Sequence, residues 1–536
     1  MVGTYLNPGN SSFGRILKTC YVDKTGLIAI INGRVDTEDS LICISRPRRF
    51  GKSYAARMLC AYYDRTCDSH KLFDKLKISK DTSYEEHINK YNVIYLDVAS
   101  FMSELKRQKH SIKDVANDIA ETIRNELVTD KPELSQISRT SDCLKKYVEL
   151  TGKKFVFIID EWDVVIREAK NDNDTQTAYL NLLREWFKNG NFTEKTVAAA
   201  YMTGILPVKK DGSQSAISDF REYPILNPAE FAEYTGFTEQ EVRELCGQNQ
   251  MDFDEAKRWY DGYSFEKAES IYNPYSVMMA MKSREYGSYW KQTSAADPLL
   301  SFINIQIQKN NGQKNTLEAD ILKLTAGEKI KINASRFNND FQTFNSEDDV
   351  LTLLVHLGYL AYDKNTGRVR IPNEEVRTEF NELLREPQYS NLAGLIMQSE
   401  KLLSDTLAGN SEAVAETIRK IRETNYAPSY YNNEQSLRYA IKFAYIVCID
   451  RYMKVEELPS GKGLADVVYI PKSDTALPAL VIELKRDETA DAAINQIKKN
   501  NYPAVLADHY GEVVLTGISY NSKTNEHTCK IERIIK

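Results

Sequence analysis

The stretch LICISRPRRFGKS (41–53) decides how the rest of this chain is interpreted. An apolar run rich in β-branched residues precedes Gly-Lys-Ser, and a helical period, YAARMLCAYYD (54–64), follows it. A strand, a loop ending in Gly-Lys-Ser and a helix together form a phosphate cradle, because backbone N–H groups and the helix N-terminus face the anion. Lys52 would reach the β- and γ-phosphate oxygens, and Ser53 would hold magnesium. The usual first glycine of this motif is Arg46 here.

Three further apolar runs follow: VIYLDV (93–98), FVFIID (155–160) and VAAAYMTG (197–204). Continuous runs of this length suit strands that are buried on both faces, and the stretches between them, such as YLNLLREWF (179–187), have helical spacing. The pattern predicts a parallel α/β sheet with crossover helices that ends near residue 215.

The run at 155–160 ends in Asp160, and Glu161 follows it directly. Both acidic residues are therefore expected at the carboxyl end of the strand, which is where open α/β sheets bind their ligands. We expect Asp160 to orient the magnesium shell and Glu161 to polarise the attacking water, the division of labour in nucleotide hydrolysis. Thr203, at the end of the next strand, would contact the γ-phosphate or simply cap its strand.

Residues 220–290 show helical periods without buried strands, and Thr238 with Glu241 forms a capping box that opens a helix. Further on, DDVLTLLVHLGYL (348–360) predicts an amphipathic helix, and the segment after it predicts a hairpin that turns at 365–367. A helix followed by such a hairpin is either a winged-helix element or a small packing domain.

A second group of charged residues lies near the C-terminus. Two strand-like runs, VVYI (467–470) and LVIELK (480–485), are joined by a turn-rich segment, so an antiparallel hairpin would bring Asp466 beside Glu483. Glu483 and Lys485 share one face of their strand, because side chains repeat every two residues. Two carboxylates and an amine suit metal-assisted phosphodiester cleavage, in which Mg²⁺ activates water and Lys485 positions or deprotonates the nucleophile.

The composition limits the possible partners. A formal net charge of -6 over 536 residues argues against a basic coat for nucleic acid, so such a site must be local. Lys498 and Lys499, with Lys485 and Arg486, would either track a nucleic-acid backbone or form a solvated face. Scattered cysteines without metal-ligand spacing, and the lack of an apolar run long enough for a membrane span, favour a cytoplasmic protein.

Several longer stretches carry a resemblance to a known family. They are YVDKTGLI (21–28), SRPRRFGKS (45–53), FIIDEWD (157–163), TGILPV (203–208), FAEYTGFTEQEV (231–242), WYDGYSF (259–265) and YNPYSV (272–277). Together they resemble the AAA-ATPase-like proteins that carry a PD-(D/E)XK nuclease-like domain at the C-terminus. The resemblance implies ATP and magnesium as cofactors, a helical lid, and an arginine at the first loop position as a variant of the family. The residues expected at the nucleotide are Arg48, Arg49, Gly51, Lys52, Ser53, Tyr54, Asp160, Glu161 and Thr203.

In the nuclease-like domain the resemblance implies a core triad of Asp466, Glu483 and Lys485, with Asp466 and Glu483 as metal ligands. Glu434 matches the helical acid of that domain, and Gln496 matches the glutamine after the core. Leu464 stands where many relatives have arginine, which weakens an expected phosphate contact and leaves the metal ligands in place.

The predicted fold is therefore α/β, with a P-loop NTPase sheet, a lid, a helical or winged-helix-like middle region and a restriction-endonuclease-like domain. The predicted boundaries are 1–218, 219–290, 291–425 and 426–536. The predicted function is ATP binding and hydrolysis coupled to a magnesium-dependent nuclease, acting on DNA in preference to RNA. The alternative is a nucleotide-switched protein that binds nucleic acid or a partner without cutting. A homo-oligomer is also compatible, in which Arg48, Arg49 or Arg221 would complete a neighbouring site.

Overall fold

The chain forms two compact units in the computed structural model, residues 1–292 with 331–375 and residues 293–330 with 376–536. The structure describes residues 3–169, 172–188, 190–208, 210–211, 214–215, 217, 219–290, 316–325, 327–334, 337, 346–384, 390–422, 441, 444–445, 447–455, 467–472, 477–499, 506 and 511–535. Glu434 and Asp466 lie outside these described residues.

The described strands, in chain order, are β1 (Leu41–Ser45), β2 (Asn92–Asp97), β3 (Phe155–Asp160), β4 (Val197–Gly204), β5 (Lys210–Asp211), β6 (Gln214–Ser215), β7 (Arg221–Tyr223), β8 (Phe237–Thr238), β9 (Tyr263–Phe265), β10 (Ala268–Tyr272), β11 (Ile330–Lys331), β12 (Ala361–Asp363), β13 (Arg368–Arg370), β14 (Tyr452–Val455), β15 (Val467–Pro471), β16 (Ala479–Arg486), β17 (Glu512–Asn521) and β18 (Glu526–Ile535).

The described α-helices are α1 (Ser11–Ile16), α2 (Gly26–Asn32), α3 (Lys52–Tyr63), α4 (His70–Phe73), α5 (Tyr84–His87), α6 (Val98–Arg107), α7 (Val115–Asp130), α8 (Thr140–Thr151), α9 (Val164–Glu168), α10 (Asn173–Phe187), α11 (Gly190–Thr196), α12 (Glu239–Asn249), α13 (Phe253–Tyr260), α14 (Pro274–Ser283), α15 (Thr316–Thr325), α16 (Glu347–Leu357), α17 (Glu374–Leu384), α18 (Ser390–Ala408), α19 (Ser411–Arg422), α20 (Cys448–Arg451) and α21 (Ala490–Lys499). Short 3₁₀ turns occupy Lys77–Lys80, Ile112–Asp114, Pro132–Leu134 and Ala229–Phe231.

The first unit is built around a five-stranded parallel sheet of order β2-β3-β4-β1-β7. The four apolar runs identified in the sequence form strands β1 to β4 of this sheet, which confirms the predicted parallel α/β sheet. Residues of β1 alternate between the two faces: Leu41 and Cys43 enter one buried cluster, and Ile42 and Ile44 enter the other. All strands point the same way, so their carboxyl ends meet at one edge.

Two predictions about this unit were wrong. The sheet does not end near residue 215, because β7 pairs with β1 in parallel, Ile42 opposite Arg221 and Ile44 opposite Tyr223. Residues 220–290 are also not free of buried strands, since β8, β10 and β9 form a three-stranded antiparallel sheet in which Ile271 is fully buried. These strands are two to five residues long, too short to give a periodic signal.

Two local predictions are confirmed. Thr238 and Glu241 form the capping box that opens α12. The helix α16 is followed by the predicted hairpin, in which β12 pairs with β13 across the turn at 365–367. The winged-helix interpretation, the lid and the four domain boundaries remain predictions.

The second unit contains a mixed five-stranded sheet of order β14-β15-β16-β17-β18. The predicted hairpin is present, because β15 and β16 are antiparallel and Val467 lies opposite Ile482. The central pair, β16 and β17, is parallel, and the outer pairs are antiparallel. Helix α21 covers one face, where Ile494 and Ile497 are buried with Val481 and Leu515.

None of the described helices is both long enough and apolar enough to cross a bilayer.

Candidate functional site

The loop after β1 has the backbone geometry of a strand-to-helix phosphate loop. Gly51 precedes the first residue of α3 with φ +81°, a left-handed conformation that glycine adopts without the strain an L side chain would meet. The Gly51 carbonyl accepts the backbone N–H groups of Tyr54 and Ala55, which starts the helix directly after the loop. The first N–H groups of α3 are therefore directed towards the carboxyl edge of the sheet.

Lys52 lies beneath this loop and is only 4% exposed. Its Nζ donates to the carbonyl oxygens of Arg46 at 3.0 Å and of Pro47 at 2.8 Å. Burial lowers the pKa of Lys52, and the carboxylates of Glu161 and Asp160 oppose that shift. A bound phosphate would favour the charged ammonium in the same way, since it would bring negative charge to a cation that has lost its water.

Asp160 ends β3 and is fully buried. Its Oδ1 accepts a hydrogen bond from the Thr203 hydroxyl at 2.5 Å, and its Oδ2 is buried without a hydrogen-bond partner. Burial raises the pKa of Asp160, and the hydroxyls of Ser53 and Thr203 partly offset this. β4 lies between β1 and β3, which explains how Thr203 reaches Asp160. Lys52 and Ser53 of α3, Asp160 of β3 and Thr203 of β4 are thus brought to one place by three separate elements.

Glu161 follows Asp160 in the left-handed region, with φ +54°. Its Oε2 lies 3.0 Å from Nη2 of Arg167, and Nε of the same guanidinium lies 3.1 Å from Oδ2 of Asp163. Neither Arg167 nor Asp163 was predicted from the sequence as part of this site. The four-residue spacing from Asp163 to Arg167 was the available signal, because it places the two side chains on one side of a helical turn.

The guanidinium of Arg46, at the first loop position, is directed towards backbone carbonyls of the protein interior. It is fully buried, and its Nη1 donates to the carbonyl oxygens of Ser45 at 2.8 Å and of Tyr223 at 2.6 Å. Burial lowers the pKa of Arg46 to about 10. The guanidinium also lies over the ring of Phe265, 5.9 Å from its centroid. The Arg46 guanidinium therefore links the start of the loop to β7 by a hydrogen bond, and the Arg46 carbonyl accepts a hydrogen bond from Lys52.

The remaining predicted residues of the loop region occupy different settings. Arg49 is exposed, has φ +72° and stacks over Tyr275 with its guanidinium 4.2 Å from the ring centroid. Arg48 is half-buried, and the Tyr54 side chain is 50% exposed on the first turn of α3. Arg221 pairs with Asp39 at 2.7 Å near the amino end of β1, so it does not approach the loop of its own chain.

In the second unit, Glu483 and Lys485 share one face of β16, as the alternation predicted. Glu483 is 2% exposed, and Lys485 Nζ lies 3.8 Å from its Oε1. Val467 pairs with Ile482, one position before Glu483. Gln496 lies half-buried on α21. Asp466 and Glu434, the other two acids predicted here, lie outside the described residues.

The local basic charge of this unit is partly compensated. Lys498 pairs with Glu532 at 2.5 Å, and this contact lowers the pKa of the Glu532 carboxyl. Lys498 therefore has its own counter-charge, which favours the solvated-face interpretation for this lysine. Within the described part of the chain, no three His, Cys, Asp or Glu side chains gather in an arrangement that could hold a metal ion.

One family model matches part of the first unit. Residues 9–213 match the AAA-ATPase-like family model, described as a predicted AAA-ATPase. These residues form an AAA-ATPase-like domain, which implies ATP binding. The chain is also 22% identical over 522 residues to an uncharacterized protein from the 5′ region of vnfD in Azotobacter chroococcum mcd 1, covering 94% of this chain and 93% of that one. A Walker-type ATPase of Pyrococcus abyssi is 12% identical, with a TM-score of 0.32 over 67% of this chain and 94% of that chain.

Proposed function

We propose that the carboxyl edge of the five-stranded sheet binds ATP and hydrolyses it. The observation that carries this proposal is the convergence of a buried ammonium, Lys52, and a buried carboxylate, Asp160, next to a helix N-terminus. Lys52 would leave the loop carbonyls to bind the β- and γ-phosphates. Thr203 holds Asp160 through its hydroxyl and would contact the γ-phosphate.

The residues at this edge also suit magnesium. Mg²⁺ prefers hard oxygen ligands, and Asp160 Oδ2 is a buried carboxylate oxygen without a hydrogen-bond partner. Ser53 and Asp160 would hold the ion. When bound, the ion would neutralise charge on the phosphates.

Glu161 is the proposed base for hydrolysis. The oxygen of a water attacks the γ-phosphorus, the bond to the oxygen that bridges the β- and γ-phosphates breaks, and ADP leaves with that electron pair. The water's proton passes to the Glu161 carboxylate and from there to solvent, so that ADP and inorganic phosphate are the products.

The test is the variant Lys52→Ala, compared with Lys146→Ala, which removes an exposed lysine paired with Glu149. We expect calorimetry with a non-hydrolysable ATP analogue and Mg²⁺ to show Kd about 100-fold higher for Lys52→Ala, since about 2.7 kcal/mol of charge-assisted bonding is lost. The Lys146→Ala protein should match the wild type. Equal affinity of the Lys52→Ala protein would refute the proposal.

We further propose that the second unit cleaves phosphodiester bonds of nucleic acid, DNA in preference to RNA, with Mg²⁺. The support is the buried carboxylate of Glu483 beside the Lys485 ammonium at the end of β16, together with the sequence position of Asp466 next to the paired residue Val467. Glu483 and Asp466 would hold the metal ion, and Lys485 would position the nucleophile.

Cleavage should be assayed on single- and double-stranded DNA and on RNA, with Mg²⁺ or Mn²⁺, with and without ATP. We expect Glu483→Gln to reduce metal-dependent cleavage at least about 100-fold, in the range of a lost catalytic group. Glu512→Gln, which removes a half-buried partner of Arg533, is the matched control. Retained cleavage by the Glu483→Gln protein would refute the nuclease. Nucleic-acid binding without cleavage by the wild type would favour the alternative, a nucleotide-switched binding protein.

A further inference from the structure

Arg167 in α9 bridges two carboxylates at the carboxyl edge of the parallel sheet. Its Nη2 lies 3.0 Å from Glu161 Oε2 and its Nε lies 3.1 Å from Asp163 Oδ2. The side chain is only 15% exposed, against 25% for Glu161 and 1% for Asp163. Ion pairs that are withdrawn from water to this extent are stronger than surface pairs, because solvent and salt screen them less.

Asp163 fixes the position of this guanidinium. Its Oδ2 also accepts the backbone N–H groups of Ile205 at 3.2 Å and Leu206 at 3.1 Å, directly after β4. The neighbouring Gly204 leaves room for this contact, because a Cβ there would come within 2.9 Å of Asp163 Oδ1. Arg167 is therefore held by a buried, backbone-anchored carboxylate, and Glu161 is its more exposed partner.

Glu161 is the less firmly held of the two carboxylates. It is the more exposed carboxylate, and its φ of +54° is a conformation that costs a non-glycine residue free energy. The ion pair with Arg167 offsets that cost. If the ion pair opened, the backbone could relax and the carboxylate could turn towards the phosphates.

We propose that Arg167 is a positioning residue that restrains Glu161, so that each hydrolytic turnover requires the Glu161–Arg167 ion pair to open. This inference rests on the proposed ATP hydrolysis. A carboxylate that is hydrogen-bonded to a guanidinium has less negative charge to offer a water proton, so the ion pair must open before Glu161 acts as the base. The structure thus shows the restrained state, and arrival of the nucleotide would have to shift the population towards the open one.

The test is Arg167→Met, which removes the charge and keeps an unbranched side chain for packing. We expect kcat for ATP hydrolysis to rise about fivefold, the net scale of one ordinary hydrogen bond, with KM for ATP unchanged. The matched control is Arg107→Met, whose guanidinium is 76% exposed and pairs with Glu104 at 3.3 Å. Damage to the structure would lower kcat. An unchanged kcat, or a fall at constant KM, would overturn the restraint.

A second variant and a second measurement keep the test decisive if Arg167→Met folds poorly. Arg167→Lys retains a cation for Asp163, but its single ammonium replaces a guanidinium that contacts two carboxylates. The kcat of this variant should therefore lie between those of the wild type and Arg167→Met. In crystals of the wild type with Mg²⁺ and a non-hydrolysable ATP analogue, we expect Glu161 Oε2 and Arg167 Nη2 to be more than 4 Å apart. Retention of the 3.0 Å contact would contradict the proposal.

The same assays separate this proposal from the one it rests on. If Lys52→Ala binds and turns over ATP like the wild type, the nucleotide site itself is wrong. If Lys52→Ala loses ATP binding and Arg167→Met shows no rise in kcat, the site stands and the restraint is wrong. Wild-type protein that binds ATP without turnover, with no turnover in Arg167→Met either, would also refute the restraint.

Discussion

The two units hold a buried carboxylate on a strand in different ways, at the last residue of β3 for Asp160 and within β16 for Glu483. In the first unit, Asp160 and Lys52 come from different elements, a strand and a helix, and a parallel sheet brings them to one edge. In the second unit, Glu483 and Lys485 lie two residues apart on one strand and form an ion pair with each other. The cation and the acid of the first unit can therefore separate around a phosphate, whereas those of the second unit share a rigid strand.

The difference shows what each sheet contributes to its chemistry. A parallel sheet collects residues that are more than a hundred positions apart in the sequence, because all its carboxyl ends meet. An antiparallel hairpin brings residues together through the pairing register of its two strands. A shift of that register by one residue would turn each side chain of the shifted strand to the other face. We expect substitutions at the first edge to act on nucleotide turnover and those at the second edge to act on metal-dependent cleavage.

Of the substitutions that test this comparison, Glu161→Gln should have the largest effect, and it should act on ATP turnover. The amide keeps the shape of the side chain and removes the base, so we expect ATP turnover to fall about 1,000-fold, within the range for a general base. Affinity for a non-hydrolysable analogue should stay the same, as should metal-dependent cleavage measured without nucleotide. Glu168→Gln, which removes the partner of Lys106, is the control. Turnover above a tenth of the wild-type rate would show that Glu161 is not the base.

Thr203→Val should have a smaller effect at the same edge. The substitution keeps the volume and removes the donor to Asp160 Oδ1, which leaves a buried carboxylate oxygen without its partner. The loss of about 1–3 kcal/mol for such a group corresponds to ATP turnover lowered by roughly 30-fold. Thr196→Val is the control, because the buried Thr196 hydroxyl has no hydrogen-bond partner to lose. Equal turnover in the two variants would exclude a role for the Thr203–Asp160 bond.

The smallest effect is on the free energy of unfolding, and its pH dependence distinguishes the first unit from the second. His356 in the first unit is 1% exposed, and burial lowers its pKa to about 3. The unfolded chain gains a proton below about pH 6.5 that the folded chain does not, so this histidine favours folding above pH 6.5 and loses that contribution as the pH falls. Between pH 6.5 and 5.5 the free energy of unfolding should fall by up to about 1.4 kcal/mol.

Tryptophan fluorescence during urea unfolding measures this effect in the first unit alone, because all four tryptophans lie within residues 162–290. His356→Leu should lose this part of the pH dependence. The same slope in the variant and in the wild type would mean that other groups cause it.

Much of the first unit could be predicted from the sequence, because its central strands are long apolar runs buried on both faces. Lys52, Ser53, Asp160 and Thr203 follow from the ends of those strands once the sheet is known to be parallel. β7 could not be predicted in this way, since Arg221 and Glu222 are charged and only three residues pair. The same applies to the small sheet of β8, β9 and β10.

The contacts that set the state of the site were not predictable from patterns in the sequence. Lys52 donates to the carbonyls of its own loop, and Arg46 bonds the carbonyl of Tyr223, which is 177 residues away. Both contacts depend on backbone atoms, which every residue carries, so no residue type signals them. The restraint of Glu161 by Arg167 depends on a left-handed turn after β3, and nothing in the apolar pattern of that strand indicates the turn.

The most direct test of the central claim is a crystal structure of the full chain with Mg²⁺ and a non-hydrolysable ATP analogue. We expect Lys52 Nζ to leave the carbonyls of Arg46 and Pro47 and to lie within hydrogen-bond distance of the β- and γ-phosphates, with the ion next to Asp160. A nucleotide bound elsewhere, with Lys52 still donating to both carbonyls, would contradict it.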